Sequence, residues 1–124
     1  MGRIDNKINA IFIMAESSGE EISDEEYFIQ SCRLGELEEV TTCYEAAIPL
    51  TSTDNRQNTG LHMASANGHL PVVEFLLSKV DLKNAQNATG DTPLHWAAVN
   101  NHIEIVKLLV EAGADPKIKN EAGR

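Results

Sequence analysis

The chain has 124 residues, 42% hydrophobic and 5% aromatic, which suits one small domain or a short stack of repeated units with an aliphatic core, since only three Phe, two Tyr and one Trp are present. The net charge of −9 is unevenly placed: Met14 to Glu45 carries ten acids against Arg33 alone, and the remainder is neutral. An acidic end disfavours direct binding of a phosphate backbone and favours a basic protein partner, and no apolar run approaches the roughly 18 residues of a membrane span.

At the N-terminus, the apolar patch Ile8, Ala10, Ile11, Phe12, Ile13 is too short for a signal segment, and no convincing cleavage site follows. Gly2 raises myristoylation, but Asn6 stands where Ser or Thr is required. Met14 opens a natural start, so residues 1–13 read as an optional leader, and residues 1–21 as a flexible acidic segment. The run "GEEISDEE" is either a recognition tail or a helix start whose acids complement the helix dipole.

The first helix is predicted to begin at Ser23, with Ser23 and Glu26 as a capping box and Ile22 and Tyr27 as its hydrophobic staple. "YFIQSCRLGELEEVTTCYEA" then aligns with "TGLHMASANGHLPVVEFL", and that stretch aligns with "TPLHWAAVNNHIEIVKLL", each at an offset of 33 residues without a gap. Three units follow, at about 22–53, 54–86 and 87–119, with 120–124 opening a fourth turn.

Each unit has the punctuation of two short helices. Gly68 suits a left-handed helix end, Pro71 opens the next helix, and Thr92 and Pro93 are an N-cap and first helical residue. In the second helices, polar or Pro residues recur at Glu38, Thr41, Glu45; Pro71, Glu74, Ser78; and Glu104, Lys107, Glu111, a single narrow stripe. So thin a wet face predicts a helix covered by neighbouring pairs on several sides. Asn87-Ala88-Thr89-Gly90-Asp91 reads as a tight hairpin projecting sideways as a finger.

These residues resemble the ankyrin repeat: "TPLHWA" carries its T-P-L-H-x-A signature intact, and "TGLHMA" carries it with Gly60 in place of Pro. The resemblance covers about residues 22–124 and implies an all-α solenoid of three helix-turn-helix units with β-hairpin fingers, the first unit being a divergent N-terminal cap that lacks the tetrapeptide. It also implies that His62 and His95 bond backbone near the fingers. Within the family, the wording is most similar to a small fungal type that chaperones a basic small-subunit ribosomal protein.

Protein binding without catalysis is the function the resemblance implies, either as an acidic chaperone shielding a basic client or as a regulatory adaptor for an enzyme or transcription factor. On its concave surface of first helices and fingers fall Arg33 and Leu34; Asn55, Arg56, Asn58, Met63, Ala66 and Asn67; and Ala88, Thr89, Asp91, Trp96, Val99 and Asn100. Trp96 is there as a packing residue or as a hot-spot contact. Glu20, Glu21, Glu25, Glu36, Glu38 and Glu39 form the expected acidic patch.

His62, His69, His95 and His102 recur at the repeat period, which points to structural roles, and no metal or cofactor is expected. Cys32 and Cys43 align with Ser65 and Leu76, as core fillers of a reduced, cytoplasmic or nuclear protein. No nucleophile–base or paired-carboxylate arrangement stands out from the repetition. Ile103, Ile105, Val106, Leu108, Leu109 and Val110 dress the last helix for an interior position, so a monomer is expected unless a partner or another copy covers that face.

Overall fold

The computed structural model describes residues 22–124. Expectations for residues 1–21, including Glu20 and Glu21, lie outside the described residues. Among those described, six helices follow one another: α1 (Asp24–Leu34), α2 (Leu37–Glu45), α3 (Gly60–Ala66), α4 (Leu70–Lys79), α5 (Pro93–Val99) and α6 (Ile103–Glu111). They form an all-α repeat solenoid. Each first helix packs on its own second helix, α1, α3 and α5 stack in one row, and α2, α4 and α6 form a looser second row.

Helix starts follow from local chemistry. In α3 and α5 the caps are Thr59 and Thr92, whose hydroxyls accept from the N–H of His62 and His95, while each imidazole returns a bond to the backbone N–H of its cap. The tetrapeptide is thus a capping box with histidine in place of the usual Glu or Gln. The first unit starts differently. Ser23 Oγ accepts from the Glu26 N–H at 3.1 Å, and only this forward half of the predicted box forms. Since Glu26 is the counterpart of Thr59, α1 begins one turn early, and its 11 residues exceed the 7 of α3 and α5. Asp24, Glu25 and Glu26 lie in that first turn, where acids complement the helix dipole.

The core runs through the stack without a break. Phe28, Cys32, Val40 and Cys43 of the first unit, Leu61, Ala64, Val72, Val73 and Leu76 of the second, and Ala97, Ile105 and Leu109 of the third are buried. The predicted stripe on the second helices stands outward: Glu38, Glu45, Pro71, Glu74, Ser78, Glu104, Lys107 and Glu111 are exposed and Thr41 half-buried. Both cysteines are free and buried, and burial pushes both thiols up, Cys43 to about 12. They are inert at neutral pH. On the outer row, Lys79 Nζ lies 5.0 Å from the Tyr44 ring centre and 5.6 Å from that of Phe75, tying α2 to α4 by cation–π contact.

The Gly60 departure has a packing cause. A Cβ there would lie 2.8 Å from Cys32 Sγ and 3.1 Å from the Phe28 ring. Phe28 is larger than its counterparts Leu61 and Leu94, so the first unit leaves no room for a Pro beside it.

Candidate protein-interaction face

Successive units are cross-linked at two edges. On one edge, His69 Nε2–H donates to the Arg33 carbonyl at 2.9 Å, and His102 Nε2–H donates to that of Ala66 at 3.1 Å. Each ring lies over the glycine that ends the preceding first helix. Gly35 and Gly68 have φ of +76° and +78°, and a Cβ on Gly68 would fall 2.7 Å from the His102 ring. Glycine is demanded twice here, by backbone conformation and by the ring above it. In the third unit the same position is Asn101, also left-handed at φ 62°.

The fingers form the other edge. Asp54, Asn87 and Asn120, 33 residues apart, each fold the loop around a side-chain oxygen: Asp54 Oδ1 accepts from the N–H of Arg56 and Asn58, Asn87 Oδ1 from Thr89 and Asp91, and Asn120 Oδ1 from Ala122 and Arg124. Backbone bonds close the same turns, from the N–H of Asp54, Asn87 and Asn120 to the carbonyls of Asn58, Asp91 and Arg124, so the predicted hairpin fingers are tight turns held by backbone and side chain together; among the described residues the strand pairing is the isolated antiparallel bridge between Thr53 and Thr59. Neighbouring fingers zip together. Asn87 Nδ2 donates to Asn58 Oδ1 at 2.8 Å and Asn120 Nδ2 to Asp91 Oδ1 at 2.6 Å, while the N–H groups of Ala88 and Glu121 reach the carbonyls of Arg56 and Thr89.

The tetrapeptide histidines join fingers to helices, as the resemblance implies. Thr59 N–H donates to His62 Nδ1 at 3.1 Å, so the ring proton sits on Nε2 and is donated to the Asp91 carbonyl at 2.7 Å; His95 repeats this to the Arg124 carbonyl at 2.7 Å. At His62 only the neutral ring fits, and burial holds its pKa below the ordinary value, more than offsetting the nearby Asp91 and Asp54.

The family model for "Ankyrin repeats (3 copies)" matches residues 28–120. The chain belongs to the ankyrin-repeat family. It is 46% identical over 100 residues to an ankyrin repeat-containing protein of Schizosaccharomyces pombe, covering 78% of this chain and 68% of that one. It is 42% identical over 116 residues to the ankyrin repeat-containing protein YAR1 of Saccharomyces cerevisiae, covering 81% and 58%. A 64-residue stretch is 41% identical to acyl-CoA-binding domain-containing protein 1 of Arabidopsis thaliana, covering 48% of this chain and 19% of that one. The chain thus spans less than two thirds of two of these three relatives.

Within this ankyrin array, Gln30, Met63 and Trp96 occupy equivalent places on the first helices, and Arg33, Ala66 and Val99 occupy the next equivalent set. Arg33 is exposed, its guanidinium donating to Gln30 Oε1 at 3.1 Å. Met63 is half-buried, Val99 is 73% exposed, and Leu34, Asn55, Arg56, Asn67, Ala88, Thr89 and Asn100 are exposed. Asn67 also turns its amide onto the Met63 carbonyl. Trp96 is half-buried and packs edge-on against His62, ring centres 5.5 Å apart.

Two predicted contact residues, Asn58 and Asp91, also hold the scaffold together, and one predicted acidic-patch residue, Glu39, is buried. Asn58 is 4% exposed, its amide donating to Asp54 and its oxygen accepting from Asn87. Asp91 accepts from Asn120; burial works against its charge, but hydrogen bonds from Asn120, Thr89 and Trp96 win and hold its pKa down. Glu39 is 7% exposed, because its register is that of Val72 and Ile105 on the core side of the second helices. Glu25, Glu36 and Glu38 are exposed.

Two features escaped the sequence reading. A notch of about 140 Å3 opens between α1 and the first finger, lined by Glu26, Ile29, Gln30, Arg33, Asp54 and Met63. At the other end, a groove of about 290 Å3 is lined mainly by Leu94, Ala98, Val106, Val110, Pro116 and Ile118. On α6, Val110 within this groove and Ile103 outside it are exposed. Among the described residues no cluster of His, Cys, Asp and Glu could hold a metal, and no helix is long and apolar enough to cross a membrane.

Proposed function

We propose that this ankyrin array shields a basic protein on the concave face of its first helices and fingers, as an acidic chaperone of a small-subunit ribosomal protein in the cytoplasm or nucleus. The observation that carries this reading is charge segregation. In the first unit, α1 and the turn after it expose Asp24, Glu25, Glu26 and Glu36, with Arg33 as the one cation of that unit among the described residues; Glu38 and Glu45 stand outward on α2, and the third unit presents Trp96 and Val99. Such a surface steers a cationic client and then holds it by apolar contact. The candidate contacts are Arg33, Asn55, Arg56, Met63, Asn67, Thr89, Trp96, Val99 and Asn100. Binding requires no cofactor, and no catalytic activity is assigned.

Calorimetric titration with a purified basic small-subunit ribosomal protein tests the reading. Affinity should fall at least about tenfold between 50 and 500 mM salt, given a Debye length that shrinks from about 14 to about 4 Å. A salt-independent affinity would favour the second reading, an adaptor docking through apolar contacts, which the 73% exposure of Val99 supports.

A further inference from the structure

The notch between α1 and the first finger combines features that no single repeat provides. Its apolar walls are Ile29, itself buried, and half-buried Met63, from two different units. Its polar rim holds Glu26, at the third position of α1, and Asp54, at the base of the finger. At about 140 Å3 it has room for one long, thin side chain and not for a helix.

Asp54 is the informative residue. The finger turn needs only a side-chain oxygen at this position, and the other two fingers supply it from neutral Asn87 and Asn120. The first finger alone supplies it from a carboxylate. Burial opposes that charge, yet hydrogen bonds from Asn58 and Arg56 overcome it and hold the Asp54 pKa below the usual carboxylate range. Because Oδ1 accepts two backbone N–H groups and Oδ2 one amide, the charge is fixed in place as well as ionised. A fixed anion above an apolar floor complements an alkyl stem with a cationic head. Arg33 lines the same notch but is engaged with Gln30, and Arg56, whose charge also favours the Asp54 carboxylate, is not part of the lining, so the notch itself holds two carboxylates and one guanidinium.

We infer that the notch formed by Ile29, Met63, Glu26 and Asp54 seats one lysine or arginine side chain of the protein partner. The inference rests on the proposed binding of a basic client and names the anchor point. The stem lies on Ile29 and Met63, and the head is placed between Glu26 and Asp54. Arg33→Gln should then tighten the seat by removing a like charge.

The test uses the full chain with labelled Ile and Met methyl groups and a short synthetic peptide carrying a single lysine, alongside versions with norleucine and with glutamate at that position. Methyl signals of Ile29 and Met63 should shift saturably, with lysine binding at least about fivefold more tightly than norleucine, as expected for one partly buried ion pair. Asp54→Asn should erase the difference, and Arg33→Gln should strengthen lysine binding. Asparagine keeps the turn oxygen, and Glu26→Gln, outside the finger, is a second probe expected to weaken lysine binding. Equal shifts from lysine and norleucine, preference for glutamate, or shifts confined to other residues would overturn the notch. The ribosomal-protein titration is read separately, so salt-sensitive binding there with no lysine preference here would leave the broader reading standing and remove only the seat.

Discussion

Replacing Gly68 with Ala tests whether the edge latch, and not backbone conformation alone, sets the need for glycine. Two terms add. The left-handed φ of +78° costs an alanine about 1 kcal/mol. The new methyl, 2.7 Å from Cε1 and 2.9 Å from Nδ1 of His102, must push that ring aside, and the ring then loses its bond to the Ala66 carbonyl at 3.1 Å. That bond is worth about 1 kcal/mol net, and lost ring packing adds a similar amount. Gly68→Ala should therefore destabilise by about 2–3 kcal/mol, or roughly 10 °C or more in melting temperature for an array of this size. In a His102→Ala background the same change should cost only the backbone term of about 1 kcal/mol. The coupling of 1–2 kcal/mol stands well above the few tenths expected between independent sites. Urea unfolding followed by far-UV circular dichroism measures all four proteins. An equal cost in both backgrounds would refute the latch.

Three further outcomes follow from the geometry. His62 has a folded pKa below its ordinary value of about 6.5, so its contribution is fully present above that value and is lost as pH falls through the window beneath it; thermal melts from pH 7.5 to 5 should show stability declining, with a shallower slope in His62→Gln. Ser65 Oγ is buried without a hydrogen-bond partner and its counterpart in the third unit is Ala98, so Ser65→Ala should stabilise by about 1 kcal/mol in chemical denaturation, and destabilisation would show that the hydroxyl is satisfied. Gln57 is left-handed at φ 64° where the other fingers have Gly90 and Gly123, so Gln57→Gly should raise the melting temperature by a few degrees, corresponding to about 0.5–1 kcal/mol.

Most of the architecture was legible because a solenoid writes each structural role once per unit. The offset of 33 aligned the helices, the narrow polar stripe identified the outer row, and the recurrence of His62 and His95 pointed to the backbone bonds that they make to the fingers. The same alignment held unused signals. Glu39 lies 33 residues before Val72, which placed it on the core side, and the Asx residues at 54, 87 and 120 announced the turns that close the fingers. What was illegible was the contact between units. Nothing within one repeat tells that Gly60 must be bare because Phe28 is large, or that Asn58 spends its amide on Asp54 and its oxygen on the next finger. Nor could a linear pattern join Ile29 of one unit to Met63 of the next as the floor of one notch.

The two cross-linked edges also bear on binding. A surface of side chains from three separate helices has no fixed spacing unless those helices are held in register, and core packing between smooth aliphatic faces fixes distance better than it fixes sliding. The His–carbonyl latches at Arg33 and Ala66 and the finger bonds from Asn87 and Asn120 are directional, and they lie on either side of the face that carries Gln30, Met63 and Trp96. Each bond contributes little alone, but together they resist the sliding that would scramble the face. A partner then meets a preorganised surface, and less ordering free energy is charged against its affinity. Asn58 and Asp91, expected as contacts and bonded here from finger to finger, therefore also serve recognition at one remove, by keeping neighbouring contact residues at a constant separation.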